Sequence, residues 1–221
     1  MFNSILIAIF TYNEEKKISL VLNKVCKKFK NVIVVDNNSE DKTREKVQKY
    51  PVKIIHHKFN LGKSSSMKSA LDYARIKKFK YIAFLDGDDQ HRISDLENLC
   101  SKILKIKKGI IIGYRKNLSK LNFTKRLGTE FLNIFFSFFY QKKIFDIQCG
   151  LRVFSTKEKK IKWCSSGLKH YFADAEITCN AVMNKCKISQ IPIKTVRSED
   201  YKGMNFLLGL YLLFMVVYWR F

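Results

Sequence analysis

The sequence predicts an α/β protein, with a largely parallel central sheet flanked by helices. Short runs rich in Ile and Val recur along the chain and alternate with stretches of helical period, which is the mark of successive βαβ units. At 221 residues, with no internal repeat and no Gly/Ser-rich linker, the chain suits one domain able to bury a sizeable core. Polar and acidic clusters follow directly on several of the apolar runs, at the strand ends where open sheets bind their ligands.

The first run, Ile5 to Phe10, has no basic segment before it and no small-residue cleavage site after it, so it reads as a strand and not as a signal peptide. Ile18, Val21, Leu22 and Val25 then share one helical face. Strands follow at Val32 to Val35, ending on Asp36, and at Val52 to Ile55. Met67, Ala70, Leu71 and Ala74 line a second helix, and Tyr81 to Leu85 forms the strand that ends on Asp86. Leu96, Leu99, Cys100 and Ile103 line a third helix, with Ser94 and Glu97 spaced as a capping box, before a strand at Ile110 to Ile112.

Beyond Ser119 the pattern changes. Leu127 to Tyr140 is a helix apolar almost all round, either buried or in contact with lipid. Met204 to Trp219 is apolar too, yet short beside the roughly 20 residues a bilayer core requires. It is either a helix lying in the membrane interface, with Tyr218, Trp219 and Arg220 at its end, or a core helix closing the domain. The expected organisation is a domain over 1–203 followed by this helix at 204–221.

Lys and Arg number 42 against 19 Asp and Glu, a formal net charge of +23 that favours anionic partners. The excess is spread over nearly every helix, so charge alone selects no partner. No RNA-recognition or helix-turn-helix signature is present, and acidic strand ends are poor nucleic-acid surfaces, so no nucleic acid is expected. The six cysteines form no CxxC pair, which fits a reduced, cytosol-facing protein. Neither they nor the four histidines, His56 and His57 among them, have zinc-site spacing.

Asp86, Gly87, Asp88, Asp89 and Gln90 stand together at the end of an apolar strand. Carboxylates packed this closely repel one another unless something positive sits among them. One reading is a solvated acidic turn; the other is a bound divalent cation, for which hard oxygen ligands suit Mg2+ or Mn2+.

In order, the strand ends read Thr11-Tyr12-Asn13-Glu14-Glu15, Val34-Val35-Asp36-Asn37-Asn38-Ser39-Glu40-Asp41, Asn60-Leu61-Gly62-Lys63, Asp86-Gly87-Asp88-Asp89-Gln90-His91 and Gly113-Tyr114-Arg115. Asp146 to Phe154, Glu176, Ile191-Pro192-Ile193 and Tyr201-Lys202 continue the series. This succession resembles a family 2 glycosyltransferase of the Rossmann-like GT-A fold. It is most similar to dolichyl-phosphate mannose synthase, dolichyl-phosphate glucosyltransferase and bacterial polyprenyl-phosphate glycosyltransferases.

The resemblance implies roles for individual residues. Tyr12 and Glu14 match residues that hold the nucleotide base and ribose, and Asp36 matches a carboxylate that contacts the base. Asp86, with Gly87 beside it, faces the ribose and the metal, while Asp88 and Gln90 match metal ligands and Asp89 reads as a solvated neighbour. Arg115 and Arg126 match basic residues near the donor pyrophosphate and the acceptor phosphate, and Lys202 matches a residue that closes over the donor. Asp146 and Glu176 match carboxylates on the acceptor side. The chain departs from the pattern at Phe10, where Pro is usual, at Asn37 and Asn38 in place of Asp and Gly, and at Ser64 and Ser66 in place of small residues. Asn tolerates positive φ, so the turn at Asn38 can be kept.

The implied reaction is metal-dependent, inverting transfer of a sugar from a GDP-mannose or UDP-glucose type of donor. A polyprenyl or dolichyl phosphate is already largely ionised at neutral pH, whereas a saccharide hydroxyl needs a base. Hydroxyl-accepting relatives usually carry an adjacent Glu-Asp pair, and this chain has Asp174-Ala175-Glu176. The expectation is therefore a lipid-phosphate acceptor at the cytoplasmic face of a membrane, with the protein bound peripherally or cytoplasmic. The alternative acceptor is a saccharide hydroxyl.

Overall fold

The computed structural model describes residues 2–116, 118, 123–158, 172–194 and 206–221. Seven strands form a single sheet: β1 (Ile5–Thr11), β2 (Val32–Asp36), β3 (Lys53–His56), β4 (Tyr81–Asp86), β5 (Ile110–Arg115), β6 (Arg152–Ser155) and β7 (Ile188–Ile193). Their order is β3-β2-β1-β4-β6-β5-β7, and β6 alone runs against the rest. Every residue of β1 is buried, so both its faces are covered and alternation gives way to a continuous apolar run.

β6 and β7 are strands that the pattern of apolar runs does not reveal. β6 is short and opens on an arginine. β7 is mostly half-buried and contains Pro192, which is tolerated because β7 closes the edge of the sheet.

Helices α1 (Ile18–Cys26), α2 (Thr43–Val47), α3 (Gly62–Ile76) and α4 (Ile93–Ile106) accompany the parallel strands. α1, α3 and α4 bury the apolar stripes expected of them. Each large stripe residue contributes roughly 1.5–3 kcal/mol when fully buried. Leu99→Ala on α4 would open a cavity and destabilise by about 2–5 kcal/mol.

The capping box expected on α4 is not formed. The N-cap is Arg92, in extended conformation, and no side chain caps the helix. Ser94 thus falls inside the first turn, where its hydroxyl cannot reach back to the orphan N–H groups, and Glu97 pairs instead with Lys28 at 3.5 Å.

A second core lies where α5 (Phe123–Tyr140), α6 (Ala173–Met183) and α7 (Phe206–Tyr218) meet. Leu132, Phe136 and Tyr140 of α5 pack with Ala175 and Cys179 of α6 and Leu212 and Val216 of α7. The Tyr140 hydroxyl donates to the Val216 carbonyl at 2.9 Å. The remaining faces are open: Leu127, Phe131, Ile134 and Phe138 on α5, and Leu207, Leu210, Tyr211, Phe214 and Tyr218 on α7, are exposed. Among the described residues no helix is long and apolar enough to cross a membrane.

Candidate active site

The carboxyl ends of β1, β2 and β3 are tied into one rim. Asn13 and Asn38 both take positive φ, 55° and 66°, so the turn with Asn in place of Gly is kept. The Asn13 N–H donates to Ser39 Oγ at 3.0 Å, the Glu40 N–H to Asn13 Oδ1 at 2.9 Å, and the Glu14 N–H to Thr43 Oγ1 at 2.8 Å. Asp36 is wholly buried. Its Oδ1 accepts from Ser39 Oγ at 2.5 Å and its Oδ2 lies 2.9 Å from His56 Nδ1. Tyr12, by contrast, stands open at the rim.

β4 delivers Asp86 to the next position along this edge. The Gly87 N–H donates to the Phe10 carbonyl at 2.8 Å, and a Cβ on Gly87 would meet that same oxygen at 3.0 Å. A side chain here would force that carbonyl back by a few tenths of an ångström.

The positive charge demanded by the acidic junction comes from Lys63. Its Nζ lies 2.7 Å from Asp86 Oδ1 and 2.9 Å from Asp174 Oδ2. Arg152, completely buried, stands behind Asp174 with Nε 3.4 Å from Oδ1. The Arg152 guanidinium also donates to the carbonyls of Cys149 and Ile147, each at 2.7 Å, and to Thr178 Oγ1 at 2.8 Å. Burial alone would lower the Lys63 pKa, but the carboxylates of Asp174 and Asp86 outweigh it and hold the ammonium above the ordinary lysine value. Burial likewise works against ionisation of Asp86, and Lys63 overcomes it, leaving the carboxyl below its usual range.

Sequence reasoning gave no role to Lys63 or Arg152, and considered Asp174 only within Asp174-Ala175-Glu176, where hydroxyl-accepting relatives carry a Glu-Asp pair. The signals were slight: a lysine closing Asn60-Leu61-Gly62-Lys63 among 42 basic residues, and an arginine next to an apolar run.

Asp88 has no such partner: it makes no ion pair among the described residues, and its Oδ1 accepts only the Gln90 N–H at 3.1 Å. Burial, and then the neighbouring Asp86 charge, push its pKa up to about 7. Asp89 turns away, with φ 60°, and binds Lys24 at 2.6 Å. Among the described residues no three His, Cys, Asp or Glu side chains converge as a metal cage. Asp88 and Gln90, with Asp86 held by Lys63, nonetheless fit a hard cation that takes one or two protein carboxylates and fills its shell with water and phosphate oxygens. Asp88 is the carboxylate left short of positive charge.

The other side of the site is carried by the segment before β6. Arg115, at the end of β5, clasps the buried Asp146 through Nε at 2.6 Å and Nη2 at 3.0 Å. This two-point geometry is the strong form of the pair. Asn133 of α5 holds the segment in place, donating to the Phe145 carbonyl at 2.8 Å and accepting from the Ile147 N–H at 3.1 Å. Further along, Gly150 presses on Asp86 so closely that a Cβ would stand 2.2 Å from Oδ2.

Glu176 is buried in the first turn of α6. Arg126 lies on the exposed side of α5, with Nε bonded to Glu130 at 2.9 Å. Lys202 lies outside the described residues. The structure therefore joins Asp86 to Lys63, Asp174 and Arg152, and Asp146 to Arg115, and leaves Arg126 paired along its own helix.

Known proteins share both the sequence and the shape. The chain is 27% identical to a UDP-N-acetylglucosamine–dolichyl-phosphate N-acetylglucosaminyltransferase of Methanococcus voltae, over 90% of this chain and 88% of that one. It is 26% identical to a dolichyl-phosphate beta-glucosyltransferase of Trichomonas vaginalis, over 83% and 62% of the two chains. Among solved structures, glucosyl-3-phosphoglycerate synthase of Mycobacterium tuberculosis, crystallised with Mn2+, UDP and phosphoglyceric acid, superposes with a TM-score of 0.74 at 11% identity, covering 97% of this chain and 76% of that one. That likeness carries the fold, GT-A. Residues 6–158 match the sequence profile of Glycosyl transferase family 2, and the chain belongs to that family of glycosyltransferases.

Proposed function

We propose that this glycosyltransferase moves a sugar from a nucleotide diphosphate to a polyprenyl or dolichyl phosphate, with inversion, at the cytosolic face of a membrane. The observation that carries the reading is the open apolar surface of α5 and α7, bonded through Asn133 to the segment bearing Asp146. Contiguous apolar patches of this kind mark interaction sites. A lipid acceptor would approach from that side. Residues 1–203 would form the catalytic unit and 204–221 the membrane-facing helix, with the positive excess of the chain drawn to anionic lipid. The dolichyl-phosphate relatives support the same acceptor class.

The state of Asp174 favours a phosphate over a hydroxyl. Its carboxylate is already committed to Lys63 and Arg152. An ionised lipid phosphate can attack with no proton removed. Tyr12 and Glu14 at the β1 rim, with Asp86 and Gly87, would hold the nucleoside, and Arg115 or Lys202 the phosphates. Arg126 would serve the acceptor phosphate by leaving Glu130. Asp88 and Gln90 would hold Mg2+ or Mn2+, which when bound neutralises charge developing on the departing diphosphate.

The test is transfer from labelled UDP- and GDP-sugars, with Mn2+ present, to polyprenyl phosphate in anionic vesicles or to saccharide acceptors. An acid-labile lipid-linked product, together with flotation of the protein on those vesicles at low salt, is expected. Transfer to saccharide hydroxyls alone would select the alternative acceptor. A protein that stays off the vesicles would remove the membrane role.

A further inference from the structure

We infer that Lys63 competes with the divalent cation for Asp86, and that Asp174, as the second counter-ion of that lysine, sets how readily the cation is admitted. The inference rests on the metal-dependent reading above and names the residues that regulate that step. Lys63 stands in the first turn of α3, Asp86 at the end of β4 and Asp174 in the first turn of α6. Three elements thus meet at one ammonium.

Lys63 Nζ lies 2.7 Å from Asp86 Oδ1 and 2.9 Å from Asp174 Oδ2, so a single positive charge is shared between two carboxylates. The two differ in access. The Asp86 side chain is 27% exposed and open to a solvated ion, whereas that of Asp174 is 9% exposed and backed by Arg152. Asp86 and Asp88 together would bring a divalent cation beside an ammonium already bonded to Asp86, and like charges this close repel. One of the two must give way.

Lys63 is built to move, with a flexible four-carbon stem and three rotatable donors. Arg152 is not: its guanidinium is fixed by the carbonyls of Cys149 and Ile147 and by Thr178 Oγ1. Gly150 closes over the Lys63–Asp86 pair, where a Cβ would stand 3.0 Å from Nζ, so the path open to the ammonium leads toward Asp174. There Oδ1 is buried and accepts no hydrogen bond among the described residues, which leaves acceptor capacity for a donor released by Asp86. Asp174 is therefore a positioning residue that acts on the metal site through Lys63. By linkage, whatever favours the Lys63–Asp174 pair favours the cation, and the cation favours that pair.

Mn2+ is titrated at pH 8, by calorimetry and by loss of the free-ion EPR signal, into the wild type, Asp174→Asn, Lys63→Met and the double variant. Asp174→Asn leaves Lys63 to Asp86 alone and should weaken Mn2+ binding roughly tenfold, the effect of a like charge held a few ångströms away in a solvated site. Lys63→Met removes the competitor and should tighten binding by a similar factor. The double variant should bind as tightly as Lys63→Met, because Asp174 acts only through Lys63. If Asp174→Asn weakens Mn2+ as much without Lys63 as with it, if it keeps the wild-type affinity, or if folded Lys63→Met binds more weakly, the inference is overturned. Should Lys63→Met alone not fold, the double variant against Asp174→Asn carries the same test: restored binding upholds the competition and unrestored binding rejects it. A wild type that takes up no Mn2+, with or without UDP or GDP, removes the metal reading and this inference with it; Mn2+ binding indifferent to all three variants removes this inference alone.

Discussion

Asp88→Asn should make the metal-free protein more stable while abolishing its chemistry. Burial and the Asp86 charge hold the Asp88 pKa at about 7, against an ordinary value of about 3.9. Three units at 1.36 kcal/mol each set a ceiling of roughly 4 kcal/mol, and partial exposure with relaxation of the loop reduces the expected effect to about 1–2 kcal/mol. The sign follows from the direction of the shift. A carboxyl whose folded pKa is raised opposes folding above its unfolded pKa, increasingly as pH climbs toward the folded value, and opposes nothing below about pH 4. Denaturant melts in EDTA should therefore show the variant ahead at pH 8.5, with the gap closing as the pH falls through 7 toward 4. At about 2–4 °C per kcal/mol for a chain of this size, the melting temperature at pH 8.5 should rise by a few degrees. Mn2+ should then stabilise the wild type and leave the variant unmoved. A variant no more stable than the wild type at pH 8.5, or equally stabilised by Mn2+, would refute the argument that Asp88 is the carboxylate awaiting a cation.

Lys63→Met removes the ammonium shared by Asp86 and Asp174 and should destabilise by about 2–4 kcal/mol, since an uncompensated buried charge remains. Because the Asp86 pKa is lowered in the fold, its stabilising effect is present above the unfolded value and lost as pH falls through the folded one; without the ammonium, burial pushes that carboxyl up instead, so the deficit of the variant, read from urea melts, should be greatest at alkaline pH and shrink as the pH falls toward about 4. Gly150→Ala drives a methyl against Asp86 Oδ2, and about 1–3 kcal/mol of strain with at least tenfold weaker donor binding is expected by calorimetry; unchanged binding would mean that the Asp86 position is not critical. Phe138→Glu with Phe214→Glu places charge on the exposed faces of α5 and α7 and should abolish flotation on anionic vesicles while leaving the melting temperature within a few degrees, surface substitutions changing stability by roughly 0.5 kcal/mol or less.

Much of the fold was legible because strands buried on both faces must read as unbroken apolar runs. That rule found β1, β2, β4 and β5 and the stripes of α1, α3 and α4. It failed at β6 and β7, where a buried arginine and an edge proline break the run, and at the start of α4, where Ser94 and Glu97 have the spacing of a cap but the helix begins at Ile93. Spacing signals a cap only if the first turn starts where the motif supposes.

The acidic strand end at Asp86 to Gln90 and the order of the motifs were likewise in the sequence, and they determined the family. What only the tertiary structure decided is which charges answer one another. Lys63 comes from α3, Asp174 from α6 and Arg152 from β6, far apart along the chain and brought to Asp86 by the sheet order. Asp36 and His56 meet through strand register alone. A sequence records which groups carry charge and where strands end, since both are local; Coulomb and hydrogen-bond partners depend on distance in space, and only the folded sheet sets that distance.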